Sequence, residues 1–227
     1  MQYFGIVDLV AAGVFVLSWG FYAWLVDFSP WRDRTLTAAM NVQRRRWMET
    51  MLTRENRMLD AQVIAGLQNG SAFFASTSLL AIGAAFALLT TSEQVLGVVH
   101  DLPFAEGGSA VAWEVKALGL LSIYAYAFFK FGWSFRLFAY VSILIGATPQ
   151  AEERETEAAR LAIDRATEVS VVAGRHFSRG LRAFFFSVGF LGWFANPWLF
   201  LVITLIVVIA LSRRQLAFPS LRLLRTS

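Results

Sequence analysis

Phe190–Phe200 reads FLGWFANPWLF, and whether this stretch kinks a helix or ends one decides the architecture. It lies in a mostly apolar run, Ala183 to Leu211, that stops at Ser212-Arg213-Arg214. A single helix from Gly180 to Ser212 would be about 50 Å long, well over the ~30 Å hydrocarbon core of a bilayer. Two helices, 180–195 and 197–212, would each be about 24 Å. That is slightly short, but the long stems of Arg179, Arg182 and Arg213 reach an interface. Asn-Pro is also a turn dipeptide, and the residue before proline is pushed out of the α region. The favoured reading is a hairpin turned by Asn196 and Pro197, with Trp193 and Trp198 in the interfacial aromatic belt. A single kinked span is the alternative.

Working outward, the 227 residues are 57% hydrophobic and 15% aromatic. Several segments near 20 residues carry almost no charge, as a membrane-spanning helix requires. The chain reads as one all-α membrane domain, 1–227, with about five spans near 4–26, 63–89, 115–137, 180–195 and 197–212. MQYFGIVDLVAAGVF lacks a basic leader region and carries Asp8, so the first span is read as retained. There is no cysteine, which excludes disulfides, zinc–thiolate sites and thiol catalysis.

Charge between the spans gives an orientation. Asp27–Asp60 holds seven arginines and Gln150–Arg179 five, whereas Thr90–Glu114 holds four acids and no Lys or Arg. Basic loops stay cytoplasmic, so the N-terminus is expected outside. The hairpin returns Arg213, Arg214, Arg222 and Arg225 to the inside. The expected location is the inner (plasma) membrane, with anionic lipids at the cytoplasmic face. The pI near 9.8 then records topology, and no nucleic-acid partner is expected. Helical periodicity over 35–59 and 150–173, with the apolar continuation 137–145, predicts a packed cytoplasmic layer of helices.

A few residues stand out. Lys130 lies inside the third span, where an ionisable group is a functional candidate. It sits only about 9 Å from the Arg136 level, so its stem could equally snorkel to the inner interface. Asp8 lies well inside the first span, at a depth similar to Lys116, which suggests a structural ion pair. Gly70, Ser71, Thr77, Ala81 and Ala85 mark a small-residue face for close helix approach. Its use would be packing within the subunit, a subunit interface or a pore lining. Arg44-Arg45-Arg46-Trp47 is either ordinary positive-inside charge or a contact for anionic headgroups.

NVQRRRW (41–47), Ala61-Gln62, Gly70-Ser71, SFR (134–136), ILIGATP ending at Pro149, and RGLRAFFF continuing to WFANPW occur in this order over nearly the whole chain. In these pieces the sequence resembles the membrane proteins grouped as domain of unknown function 599. It departs from that pattern at Ile64-Ala65-Gly66, where Leu-Arg-Asn is expected, and Lys130 is not a family position. The resemblance implies a multi-pass α-helical membrane protein and supplies no activity. It draws attention to Arg45, Arg136, Arg182, Trp193 and Pro197. If the three arginines sit at one depth, they could form a cationic ring beneath the spans.

No nucleophile elbow, phosphate loop or metal-ligand spacing is present, so no enzyme activity, cofactor or metal is expected. The leading expectation is a homo-oligomeric channel- or transporter-like protein for a small ion or solute, with Lys130, Arg136, Arg182 and Arg45 as candidate anion contacts. The alternative is a non-transporting scaffold or accessory subunit of a larger membrane complex.

Overall fold

The computed structural model describes residues 4–90 and 109–216. Most of the acidic stretch between the second and third spans, together with His100, Arg222 and Arg225, lies outside them. Among the described residues the chain is helical, without strands. The six α-helices are α1 (Ile6–Asp27), α2 (Leu36–Leu52), α3 (Met58–Thr90), α4 (Ala110–Gly146), α5 (Glu157–Leu191) and α6 (Pro197–Leu216).

Short polar side chains start these helices by accepting an orphan backbone N–H. Thr35 Oγ1 accepts from Ala38, Ser109 Oγ from Ala112 and Thr156 Oγ1 from Ala159, each at 3.2 Å. Asn196 Oδ1 accepts from Leu199 N at 2.7 Å, with Pro197 in the first helical position, where its missing N–H costs nothing. Asn196-Pro197 thus ends one helix and caps the next. The 3₁₀ turn Gly192–Phe194 links them.

α5 and α6 fold back on each other as a hairpin. They approach so closely that a Cβ on Gly192 would lie 3.1 Å from the Phe200 backbone. α6 therefore returns to the end of the bundle where α1 finishes, and Tyr22 donates to the Leu211 carbonyl there at 3.1 Å. That end, rich in arginine, is called the basic end below; the other is the hairpin end.

The apolar continuation 137–145 runs on from the third span in one unbroken helix, α4, of 37 residues. Two expected boundaries are corrected. The segments 150–173 and 180–195 join in α5, of 35 residues. Pro149 precedes a 3₁₀ turn, and the helix after it begins only at Glu157. At ~1.5 Å per residue, α3, α4 and α5 run about 50–55 Å, longer than the bilayer core, so their excess forms a second layer.

Among the described residues, four helices are long and apolar enough to cross a membrane: α1, α3, α4 and α6. α5 falls short because Arg175, Arg179 and Arg182 punctuate it. Yet α5 is the central helix. It packs against α4, α6 and α2, and its Phe15–Phe186 contact at 5.7 Å reaches α1. Ala183, Phe186 and Ser187 are fully buried. A helix surrounded by protein has no need of lipid solubility, which is why apolarity alone underrates it.

Two cores follow. The first is aromatic, built from Phe15, Phe186, Phe190, Trp193 and Phe200 with Leu120, Ile123 and Phe131 of α4. The second lies toward the basic end. There Met48, Met51 and Leu52 of α2 pack on Ile64, on Phe138, Val141 and Ile145 of α4, and on Ala159, Ile163 and Ala166 of α5. Phe138, Val141 and Ile145, beyond residue 137, are thereby covered by protein, while Ile143 stays exposed.

Candidate anion-binding site

The site arises where α5 passes the end of α1. Arg175, Arg179 and Arg182 fall at i, i+4 and i+7, one helical face. α1 ends at Asp27, and Ser29 Oγ closes the turn onto the Leu25 carbonyl at 2.6 Å. Arg182 Nη2 donates to both Asp27 oxygens, at 3.0 and 3.1 Å, and Arg179 Nε donates to Oδ2 at 3.0 Å. Arg182 is only 6% exposed, and its guanidinium lies 5.6 Å from the Tyr22 ring. Its Nη1 is buried and has no hydrogen-bond partner among the described residues, which is costly for a charged donor unless something accepts from it.

Two adjoining cavities share Asp27, Thr37 and Arg175. The smaller, about 50 Å³, reaches Arg182 and Arg214; the larger, about 380 Å³, adds Arg32, Asp33 and Arg179. Five guanidiniums thus face two carboxylates. A partly enclosed groove with three positive charges in excess attracts anions, and guanidiniums suit carboxylate or phosphate oxygens in particular.

The other anticipated residues are dispersed. Arg45 pairs with Asp164 of α5 at 3.0 Å and borders a separate shallow cavity that also touches Arg175. Arg136 is exposed and donates to Tyr140 Oη at 2.6 Å. Arg45, Arg136 and Arg182 therefore have three different partners, Asp164, Tyr140 and Asp27. Lys130 is half-buried, its Nζ 5.0 Å from the Tyr126 ring. Burial first, then Lys130 and Arg179, holds His176 below the usual histidine range.

At the hairpin end, Asp8 Oδ1 lies 3.8 Å from Lys116 Nζ and accepts from Trp193 Nε1 at 2.7 Å. Lys116 donates to the Trp193 carbonyl at 2.9 Å. Trp193 is therefore turned inward, 7% exposed, while Trp198 faces outward; of the two, only Trp198 presents itself as an interfacial belt residue would. Among the small residues of α3, Ser71 is buried and its hydroxyl lies 3.2 Å from that of Ser134, which donates to the Ala173 carbonyl at 2.9 Å. Ala85 is buried, Gly70, Thr77 and Ala81 half-buried.

The basic run of α2 is bound within the protein. Arg44 Nη1 donates to the Ser170 carbonyl at 2.7 Å, lying across Gly174. Trp47 Nε1 donates to Asp60 Oδ1 at 2.7 Å. Sequence reasoning passed over Asp60, which is fully buried and also held by Arg54. It passed over Arg57, which closes the end of α4 by donating to the Thr148 carbonyl at 2.7 Å and to that of Pro149. It also treated Asp27 as the start of a loop. The i, i+4, i+7 arginines of α5 were the available signal for an acid opposite them.

The motif pieces meet in space: Arg44 and Trp47 bind α5 and α3, Gly70-Ser71 meets Ser134, Thr148-Pro149 receives Arg57, and Arg182 and Trp193 hold the two ends of α1. No curated protein and no solved structure shows a significant match to the chain. The model of the protein family of unknown function DUF599 matches residues 10–220, and the chain belongs to that family.

Proposed function

We propose that this multi-pass protein sits in the inner (plasma) membrane with its basic end in the cytoplasm, and that the arginine groove takes up a small anionic solute there as part of a transporter-like function. The observation that carries this is Arg182, a buried guanidinium with an unpartnered Nη1 in a groove holding more cations than acids. The positive-inside distribution of arginine supports the orientation.

Passage through one protomer would have to displace Phe186, Phe190 and Phe200, which lie between the groove and the hairpin end and are all nearly inaccessible. The transport reading therefore needs either a rearrangement of α5 and α6 or a path between protomers of a homo-oligomer. The same solid core favours a second reading, in which the protein is a non-transporting accessory subunit that only senses or stores the anion.

The test has two stages. Full-length protein in nanodiscs is titrated with phosphate and sulfate while thermal unfolding is followed. Binding to the folded state stabilises by RT ln(1 + [L]/Kd), about 2.7 kcal/mol at 100 Kd. Arg214→Gln, on the exposed rim of the groove, should weaken the effect. No stabilisation by any small anion rejects the groove as a binding site. Proteoliposome uptake then separates the readings: flux above empty vesicles supports transport, and binding without flux supports the accessory role.

A further inference from the structure

A second crevice lies on the opposite side of the Arg182–Asp27 pair. It runs between α1 and α4, has a volume of about 220 Å³, and is walled by Trp19, Phe28 and Tyr126 with Arg179 and Arg182 at its base. Trp19 and Tyr126 meet edge to face at 6.1 Å and form the apolar part. Tyr126 is 40% exposed and Phe28 67%, so these walls face outward from the bundle. Lys130 Nζ lies over the same Tyr126 ring at 5.0 Å. Arg179 and Lys130 share one height, because a Cβ on Gly180 would touch the Phe131 ring at 2.7 Å. Two cations, Arg179 and Arg182, thus line the crevice against the single carboxylate of Asp27, and Lys130 stands beside it on the Tyr126 wall.

We infer that this crevice binds the phosphate of an anionic glycerophospholipid, with Arg179 and Lys130 on the phosphate and the start of an acyl chain along Trp19 and Tyr126. Several observations favour a lipid over a free anion. The crevice lies between two helices that are long and apolar enough to span a bilayer, so lipid is its natural neighbour. From Trp19 to Asp27 it extends about 12 Å along α1, the scale of an interfacial region rather than of a point site. Its walls are Trp and Tyr, the side chains that settle at headgroup depth, and its base carries basic groups suited to an anionic surface. It shares Asp27, Arg179 and Arg182 with the groove, but Trp19 and Tyr126 belong to the crevice alone and open it toward the bilayer. The proposal rests on the orientation given above and not on transport.

The test uses full-length protein in nanodiscs of phosphatidylcholine containing one-fifth phosphatidylglycerol. Lipids retained after detergent extraction are counted by native mass spectrometry. Lys130→Met and Arg179→Gln leave the Arg182–Asp27 contact in place, and Arg214→Gln alters the groove alone. The expected result is retained phosphatidylglycerol on the parent protein, reduced about tenfold in Lys130→Met/Arg179→Gln and unchanged in Arg214→Gln. Equal retention of phosphatidylcholine, or retention indifferent to the double substitution, overturns the proposal. So does protection by inorganic phosphate that the Lys130 and Arg179 changes abolish without any loss of bound lipid. Loss of small-anion binding in Arg214→Gln with lipid retention intact separates failure of the groove from failure of the crevice. Tyr126→Ala, which removes an aromatic wall but no charge, should reduce retention in the same direction.

Discussion

Gly174→Ala provides a test of packing whose sign depends on its partner. A methyl at residue 174 would lie 1.9 Å from Arg44 Nη1 and 2.5 Å from Cζ, distances no contact sustains, so the guanidinium must leave. What is lost is its 2.7 Å bond to the Ser170 carbonyl, a charge-assisted bond worth about 1.5–3 kcal/mol. What is gained is the helix preference of alanine over glycine, about 1 kcal/mol. The side chain is long enough to reach water, so no unpaired charge stays buried. The net cost is about 0.5–2 kcal/mol, a fall in Tm of roughly 1–8 °C for a chain of this size. In an Arg44→Ala background the obstacle is gone, and the same substitution should stabilise by up to ~1 kcal/mol. Thermal unfolding of detergent-solubilised protein, followed by far-UV circular dichroism in the four members of the cycle, measures both effects. Equal effects of Gly174→Ala in the two backgrounds would falsify the docking of Arg44 across α5.

Three other outcomes are expected. Asp27→Asn leaves Arg182 buried without its counter-ion and should cost about 3–5 kcal/mol, read as loss of folded protein in detergent; Asp27→Glu should restore part of it. Ser134→Ala breaks the link between α3, α4 and α5 and should cost about 0.6–1.7 kcal/mol, the range for interhelical hydrogen bonds in membranes, measured by reversible unfolding in mixed micelles. His176 should titrate below the ordinary histidine value of ~6.5, because burial, Lys130 and Arg179 all oppose its charge. With the folded pKa lowered, its contribution to stability is full above the unfolded pKa and is lost as pH falls from there through the folded pKa. Imidazole chemical shifts, assigned with His176→Gln, follow this directly, and Lys130→Met should move the titration upward.

The hairpin was legible because length and chain chemistry agree there: a run too long for one crossing, a proline, and an asparagine able to cap the next helix. The packed layer beyond the third span was legible for a similar reason, since an apolar tail outlasting the bilayer must be covered. Continuity was not. Nothing between residues 173 and 180 stops a helix, but dividing the chain at an assumed membrane surface imposed a break there that the backbone has no reason to make. The site was half legible. Arg182 could be singled out, but its partner Asp27 lies 155 residues away in sequence, and no local pattern encodes that pairing. Asp60 was missed, and Arg44 was read only as interfacial charge, because charge in a polar segment reads as solvated, whereas here tertiary packing uses both to join helices.

The contacts of α1 also bear on the order of assembly. Asp8 is held by Trp193, Tyr22 by Leu211, and Asp27 by Arg179 and Arg182. Each partner is synthesised more than 150 residues later. Asp8 has Lys116 to pair with by mid-chain, but Asp27 waits for its arginines until most of the chain has followed it. Contacts of such sequence separation form late and slowly, and chains fold N-terminal parts first as they are made. The α5–α6 hairpin is thus the closing element of the fold: its arrival seats α1 at both ends at once, and a chain truncated before Arg179 would leave that helix without any of these four partners.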